Sequence, residues 1–218
     1  MTDAHCHVAH GASRHFLCDP CDGPAAIGDV RFVGTHPWHL DGFDALALRN
    51  QLAVDPHLGV GEIGLDRLRA REIPPRMREV FEAQLAIAAE FCRPVVLHGA
   101  KCWGEVVKAA RQASEVPAFL FHGFSRSEGL LPDIIAINGY VSAGPAILND
   151  HAVNYRELVR KIPPERLLVE SDCTAATADA TPTAETVAAK LAALRGVSMD
   201  ALVAQIEANA DAFAAAIR

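Results

Sequence analysis

No apolar run in this chain approaches the roughly 18–20 residues that cross a bilayer, so no membrane span is expected, although half of the residues are hydrophobic. A basic patch leading into an apolar stretch is also missing near Met1, and with it the pattern of a secretory signal. Positive charge is scarce: 20 Lys and Arg stand against 27 Asp and Glu, a net charge of −7. Extended nucleic-acid surfaces are built from Lys and Arg, so a broad one is excluded. A small site where metal ions supply the positive charge is not. Low-complexity tracts are absent, and the six cysteines are spread along the chain rather than framing a small loop-rich core. They read as reduced thiols and the protein as cytoplasmic. Cys18 and Cys21 form a CxxC with no second pair to complete a tetrahedral zinc site, which reads as a loop carrying two thiols.

What is present is a rhythm. Short apolar runs bounded by Pro, Gly or Asn recur as TDAHCH from Thr2, RHFLC from Arg14, DVRFVG from Asp29, LGVGEIG from Leu58, RPVVLHG from Arg93, PAFLFHG from Pro117, GYVSAG from Gly139 and RLLVES from Arg166. These eight read as strands. Amphipathic helices separate the later ones. Phe81, Leu85, Ala88 and Ala89 share a helical face, as do Met199, Leu202, Val203 and Ile206 behind an N-cap at Ser198. Strands alternating with helices predict parallel pairing in an α/β fold, and eight of them predict a compact (β/α)8 barrel, a TIM-like fold, as one domain over residues 1–218. The first β/α unit is shortened: residues 7–29 have room for one short strand but no full crossover helix.

Polar residues sit repeatedly at the C-terminal ends of these strands, where barrels build their sites. His5 and His7 end the first strand, on one face at i and i+2. His36 ends the third, Glu62 lies in the fourth, His98 and His122 end the fifth and sixth, and Asp172 follows the eighth. HxH alone is weak evidence for a metal site. Four histidines and two carboxylates at successive strand ends are not explained by packing, because buried charges need partners. A pair of divalent cations would supply them. Mixed imidazole and carboxylate donors suit zinc, manganese, iron or cobalt better than calcium. Two ions about 3.5–4 Å apart would activate water and stabilise a leaving oxygen.

The same motifs resemble the TatD family of metal-dependent hydrolases and deoxyribonucleases, in the amidohydrolase superfamily. DAHCH is similar to the family's opening DxHxH, VGTHPW to its GxHP segment, and GEIGLD to its most specific signature; PVVLH, FHGFS and LLVESD resemble its later motifs, and Asn209 stands at the position of its usual Asn. The resemblance implies two divalent ions (Zn, Mn or Mg). His5, His7 and Asp172 would hold the first, His98 and His122 the second, and Glu62 would bridge them. It implies Asp172 as proton acceptor and Asp3 as a residue that orients a ligand histidine. Asp66 either positions substrate or caps a loop, and His36 is expected near the site without ligating. Ala4 and Cys6 face the other way, into the barrel wall. His10, His39, His57 and His151 are expected in solvent.

Departures from the family pattern fall where substrate would be held. An Arg is usual at the position of Ala100, and a cysteine at that of Gly123; no Lys or Arg occurs between Asp172 and Lys190. Lys101 is adjacent to the lost Arg but would point elsewhere on an unaltered loop. Ligands kept and contacts changed support hydrolysis and weaken a large DNA substrate. Three readings follow: a two-metal phosphodiesterase acting on a small phosphodiester or a nucleic-acid end, a hydrolase of a small amide, lactone or ester, and a catalytically idle metal-binding scaffold, the last opposed by the intact ligand set. No membrane partner is expected, and nothing in the pattern specifies an oligomeric state.

Overall fold

The computed structural model describes residues 1–19, 26–68 and 71–217. Eight strands lie in one sheet in sequence order: β1 (Thr2–Cys6), β2 (Arg14–Cys18), β3 (Val30–Val33), β4 (Leu58–Asp66), β5 (Val95–Ala100), β6 (Phe119–Phe121), β7 (Gly139–Ala143) and β8 (Leu167–Val169). Every neighbouring pair is parallel. The sheet closes into a (β/α)8 barrel at its C-terminal rim, where Asp172 N–H donates to the His5 carbonyl (3.0 Å) and His7 N–H to that of Cys173 (2.8 Å).

Helices follow the later strands: α1 (Ala45–Val54), α2 (Pro75–Glu90), α3 (Trp103–Gln112), α4 (Leu131–Ala136), α5 (Val153–Lys161), α6 (Ala184–Arg195) and α7 (Met199–Ala214). Their starts are legible locally. The Asp44 side chain caps α1 by accepting from Leu46 and Ala47 N–H, and Ser198 caps α7 by accepting from Ala201 N–H. Residues 7–13 join β1 to β2 with no helix, as the sequence predicts. His10, expected in solvent, instead ties this loop to the segment that follows β8, its Nε2 lying 2.9 Å from the Thr181 carbonyl oxygen. His39, His57 and His151 are exposed. Cys21 lies outside the described residues, whereas Cys6, Cys92, Cys102 and Cys173 are free thiols.

Helix α7 covers the seam between the first and last strands. Glu207 accepts from the N–H and hydroxyl of Thr2 at the start of β1. Asn209 donates to the carbonyls of Pro164 (2.7 Å) and Leu167 (2.8 Å) beside β8. Phe213 then packs on Phe16, Phe32 and Tyr140, rings from β2, β3 and β7. One helix thus buries its apolar stripe against strands from opposite sides of the barrel, which leaves the other rim for polar residues. Among the described residues no helix is long and apolar enough to cross a membrane.

Candidate metal centre

Strand β4 carries the central carboxylate, and two of its three glycines, Gly61 and Gly64, set where that strand runs. A Cβ on Gly64 would lie 2.0 Å from the His98 carbonyl oxygen, and one on Gly61 would lie 2.8 Å from Val96 Cβ. Only glycine permits β4 to approach β5 this closely. The pairing with β5 shifts register between Val60 and Ile63, and Glu62 projects from that irregularity. This is the physical content of the GEIGLD signature.

Glu62 is buried, and its two oxygens face different histidines. Oε2 lies 3.5 Å from His5 Nε2 and 3.4 Å from His7 Nε2. Oε1 lies 2.6 Å from both His98 Nδ1 and His122 Nε2. Asp172 joins the first group, with Oδ1 3.4 Å from His5 Nε2. Its backbone is left-handed (φ +52°), a conformation that Asp tolerates better than most residues, and about half of its side chain is open to solvent. Three sets of donor atoms each converge within 4.8 Å: His5, His122 and Asp172; His5, His7 and Glu62; His36, Glu62 and His98. All six residues to which the sequence assigns ligation therefore lie at one rim.

The donor chemistry fits divalent cations. His7 Nδ1 lies 2.9 Å from the Cys18 carbonyl oxygen, so it carries a proton and leaves the Nε2 lone pair toward Glu62. His98 Nε2 lies 3.1 Å from Asp66 Oδ2, which in the same way leaves Nδ1 toward Glu62. His5 is fully buried, and neither ring nitrogen has a hydrogen bond among the described residues. Neutral imidazoles aimed at a carboxylate lone pair to lone pair require positive charge between them, from protons or from metal. Without metal, burial opposes protonation of His7 and His98, yet Glu62 raises both, and it raises His122 well above the ordinary imidazole range with help from Glu170. Burial alone would raise Glu62; His122, His5 and His98 hold it well below the carboxylate range. The clusters suit metal binding.

Around this centre the sequence's other assignments acquire geometry. His36 is pushed down to about 4 by burial, and its Nδ1 accepts from Trp38 N–H (3.1 Å). The neutral ring then carries its proton on Nε2, 3.8 Å from Glu62 Oε1, which makes it a donor in that tautomer. Of the two roles left open by the sequence, the structure shows the cap: Asp66 accepts from Leu68 N–H (2.5 Å) in the turn after β4; it also holds Trp38 Nε1 (2.9 Å) and the His98 ring, a role the sequence did not suggest. Burial opposes its ionisation, but these donors keep it below its usual value. Among the described residues Asp3 makes no hydrogen bond to a histidine ring. It accepts from Ser171 N–H (2.9 Å) and Oγ (2.5 Å) and, at 3.4 Å, from His5 N–H, so it aligns the backbones on which His5 and Asp172 sit.

Glu170 is a site residue that the sequence reading missed. It is buried, accepts from Gly123 N–H (2.9 Å) and the Ser142 hydroxyl, and faces His122 Nδ1 at 3.6 Å. No hydrogen bond forms at that distance among the described residues, so Glu170 acts on His122 through its charge, which favours a proton on Nδ1. Its signal was a charged residue closing the apolar run RLLVES, where burial without partners is costly.

Parallel strands in sequence order, with histidines and carboxylates converging at their C-terminal rim, define a metal-site barrel of the kind that hydrolases use. The chain belongs to the TatD related DNase family, whose model matches residues 28–214; β1, β2 and the HxH pair precede the matched region. It is 29% identical over 147 residues to the metal-dependent hydrolase YabD of Bacillus subtilis, covering 65% of this chain and 57% of that one. It is 32% identical over 149 residues to the 3'-5' ssDNA/RNA exonuclease TatD of Edwardsiella piscicida, covering 67% and 56%. The matched stretch thus spans a little over half the length of these relatives. In fold it is similar to the TatD homologue YjjV of Escherichia coli, with a TM-score of 0.74 at 23% identity over 84% of this chain and 76% of the other.

Proposed function

We propose that this chain, as one domain, is a divalent-metal-dependent hydrolase of phosphodiester bonds that acts on a small diester or a nucleic-acid end. The observation that carries this reading is Glu62, whose two oxygens address two separate histidine sets. That arrangement suits two ions, with His5, His7 and Asp172 on one, His98 and His122 on the other, and Glu62 between; zinc, manganese and magnesium are the candidates. Ions bound there would supply Lewis-acid polarisation of water and of a phosphoryl oxygen.

The chain's own residues supply the rest. Burial opposes the ionisation of Asp172, but its contact with His5 keeps the carboxylate below its usual pKa, so it is ionised near neutrality. It lines the mouth of the site and takes the proton of the attacking water. Glu62 stays ionised and fixes the histidines that surround it. Asp66 holds the His98 ring through a hydrogen bond, and Glu170 places negative charge beside His122 Nδ1. Relatives named as ssDNA/RNA exonucleases support a nucleic-acid substrate, and free thiols fit a reducing compartment such as the cytoplasm.

The test is a substrate panel on chelator-stripped protein restored with Mn²⁺, Zn²⁺ or Mg²⁺: bis(p-nitrophenyl) phosphate, end-labelled single-stranded oligonucleotides and p-nitrophenyl acetate. Metal-dependent release from the phosphodiesters, lost in Asp172→Asn, is the expected result. Turnover of the carboxylic ester alone would transfer the site to amide, lactone or ester hydrolysis.

A further inference from the structure

Two cations stand beside the metal centre without a carboxylate to neutralise them. Lys101 follows His98 on the loop after β5, and Arg126 follows His122 on the loop after β6. β5 and β6 are hydrogen-bonded neighbours, so their loops share one wall of the mouth. Both residues line a cleft of about 820 Å³ that also contains His98, His122 and Asp172. Both are exposed, and among the described residues neither makes an ion pair. Arg67 lines the same cleft but is bound, with Arg78, to Glu105.

The opposite wall differs. A second cleft of about 1160 Å³ meets the first along Gly123, Ser125, Arg126, Ser127 and Asp172. Its Lys161 is paired with Glu128, and nearby Arg156 and Lys190 both hold Asp150. Among the described residues that line these clefts, the cations with no carboxylate partner are therefore Lys101 and Arg126, on the β5–β6 side. Ser125 lies on that side too, half-buried, with no side-chain hydrogen bond among the described residues. A hydroxyl, an ammonium and a guanidinium together match the oxygens of a phosphate. Continued runs of phosphates along either cleft find no matching cations among the described residues.

We propose that Lys101, Arg126 and Ser125 form a subsite for one phosphate next to the scissile bond, which selects short substrates carrying a single flanking phosphate. This rests on the phosphodiesterase reading for its role in turnover, though not for binding. Lys101 and Arg126 both have left-handed backbone (φ +59° and +60°), so Lys101→Gly and Arg126→Gly remove the side chains while suiting the backbone.

The experiment measures binding of the thymidine dinucleotide with a 5'-terminal phosphate, with a 3'-terminal phosphate and with neither, to metal-free protein by calorimetry, alongside turnover of the same three with Mn²⁺. One phosphorylated isomer is expected to bind about tenfold or more tightly than the plain dinucleotide. That ratio should fall to within about threefold in each glycine variant, with partial recovery in Arg126→Lys. Equal binding of all three by the wild type, or a ratio unmoved in both variants, overturns the subsite. A preserved binding ratio with no hydrolysis of any of them overturns the phosphodiesterase reading and leaves the subsite standing.

Discussion

Glu62 Oε1 and His122 Nε2, both on buried residues, stand 2.6 Å apart, and the same oxygen is 2.6 Å from His98 Nδ1. The two ring nitrogens are themselves only 3.2 Å apart. Three polar atoms at this spacing are stable only with positive charge among them, and Glu62 reaches all four histidines, one oxygen toward His5 and His7 and the other toward His98 and His122. Glu62→Gln keeps the volume and removes the charge. On the two-ion proposal the variant is expected to fold and to lose both ions rather than one, with activity reduced by at least about a hundredfold. Elemental analysis after dialysis checks the stoichiometry; two tightly held ions in the variant would remove Glu62 from its bridging role.

The pH dependence of stability follows from the same cluster. In metal-free protein His7, His98 and His122 are raised above the ordinary imidazole value. A group whose folded pKa is raised stabilises the fold fully below its unfolded pKa, about 6.5 here, and that stability is lost as pH rises through the folded pKa. Asp3, pushed up to about 7 chiefly by burial, acts in the same direction: between about 4 and 7 the folded state holds a proton that the unfolded chain has released. Glu62 and Asp172 are lowered, so their contribution is present above the ordinary carboxylate pKa and lost in acid. His36, pushed down to about 4 by burial, works the other way between about 4 and 6.5, so the chelated protein should melt highest near pH 6 and lower toward pH 8. Added Zn²⁺ or Mn²⁺ should reverse the decline, because ligand histidines must be deprotonated to bind. Thermal melts in EDTA that are flat or rise from pH 6 to 8 would contradict this.

Much of the barrel could be read directly from the chain because parallel strands buried on both faces appear as unbroken apolar runs. The HxH pair could be read because a strand repeats every two residues. Relationships spanning the whole chain could not: Asp3 and Ser171 are 168 residues apart in sequence, and no local pattern announces that one takes the hydroxyl of the other. His10 failed for the same reason, since its partner Thr181 lies on a distant loop. Glycines are an intermediate case. GEIG is visible, but that Gly64 faces the His98 carbonyl emerges only from the β4–β5 pairing. Gly64→Ala should destabilise by about 1–3 kcal/mol or more, readable in urea, and should lower metal affinity by displacing His98. A neutral effect on both would mean that β4 and β5 separate freely.

Asp66 offers a cleaner perturbation of the same histidine. Its carboxylate serves Leu68 N–H, Trp38 Nε1 and His98 Nε2 together. Asp66→Asn retains the shape and leaves one acceptor oxygen for three donors. Metal affinity is expected to fall about 10–100-fold, with a smaller change in melting temperature of the metal-free protein. Unchanged affinity in a competition titration would restrict Asp66 to capping its loop.

Long single strands should bind weakly and with little sensitivity to salt. Affinity for a strand grows with the number of phosphates neutralised by Lys and Arg, and each contact adds about −0.7 to the slope of log K against log salt. The net charge is −7, and residues 173–189 contain no Lys or Arg. Arg67 and Lys161 are already engaged with Glu105 and Glu128. Lys101 and Arg126 remain at the mouth, enough for about two contacts and a slope near −1.4. Fluorescence anisotropy of a labelled 20-nucleotide strand, titrated at several salt concentrations in EDTA, measures this without turnover. A slope of about −4 or steeper, equivalent to six phosphates, would require a basic surface contributed by an assembly of several chains. It would also make the single-phosphate subsite a part of a longer track rather than its end.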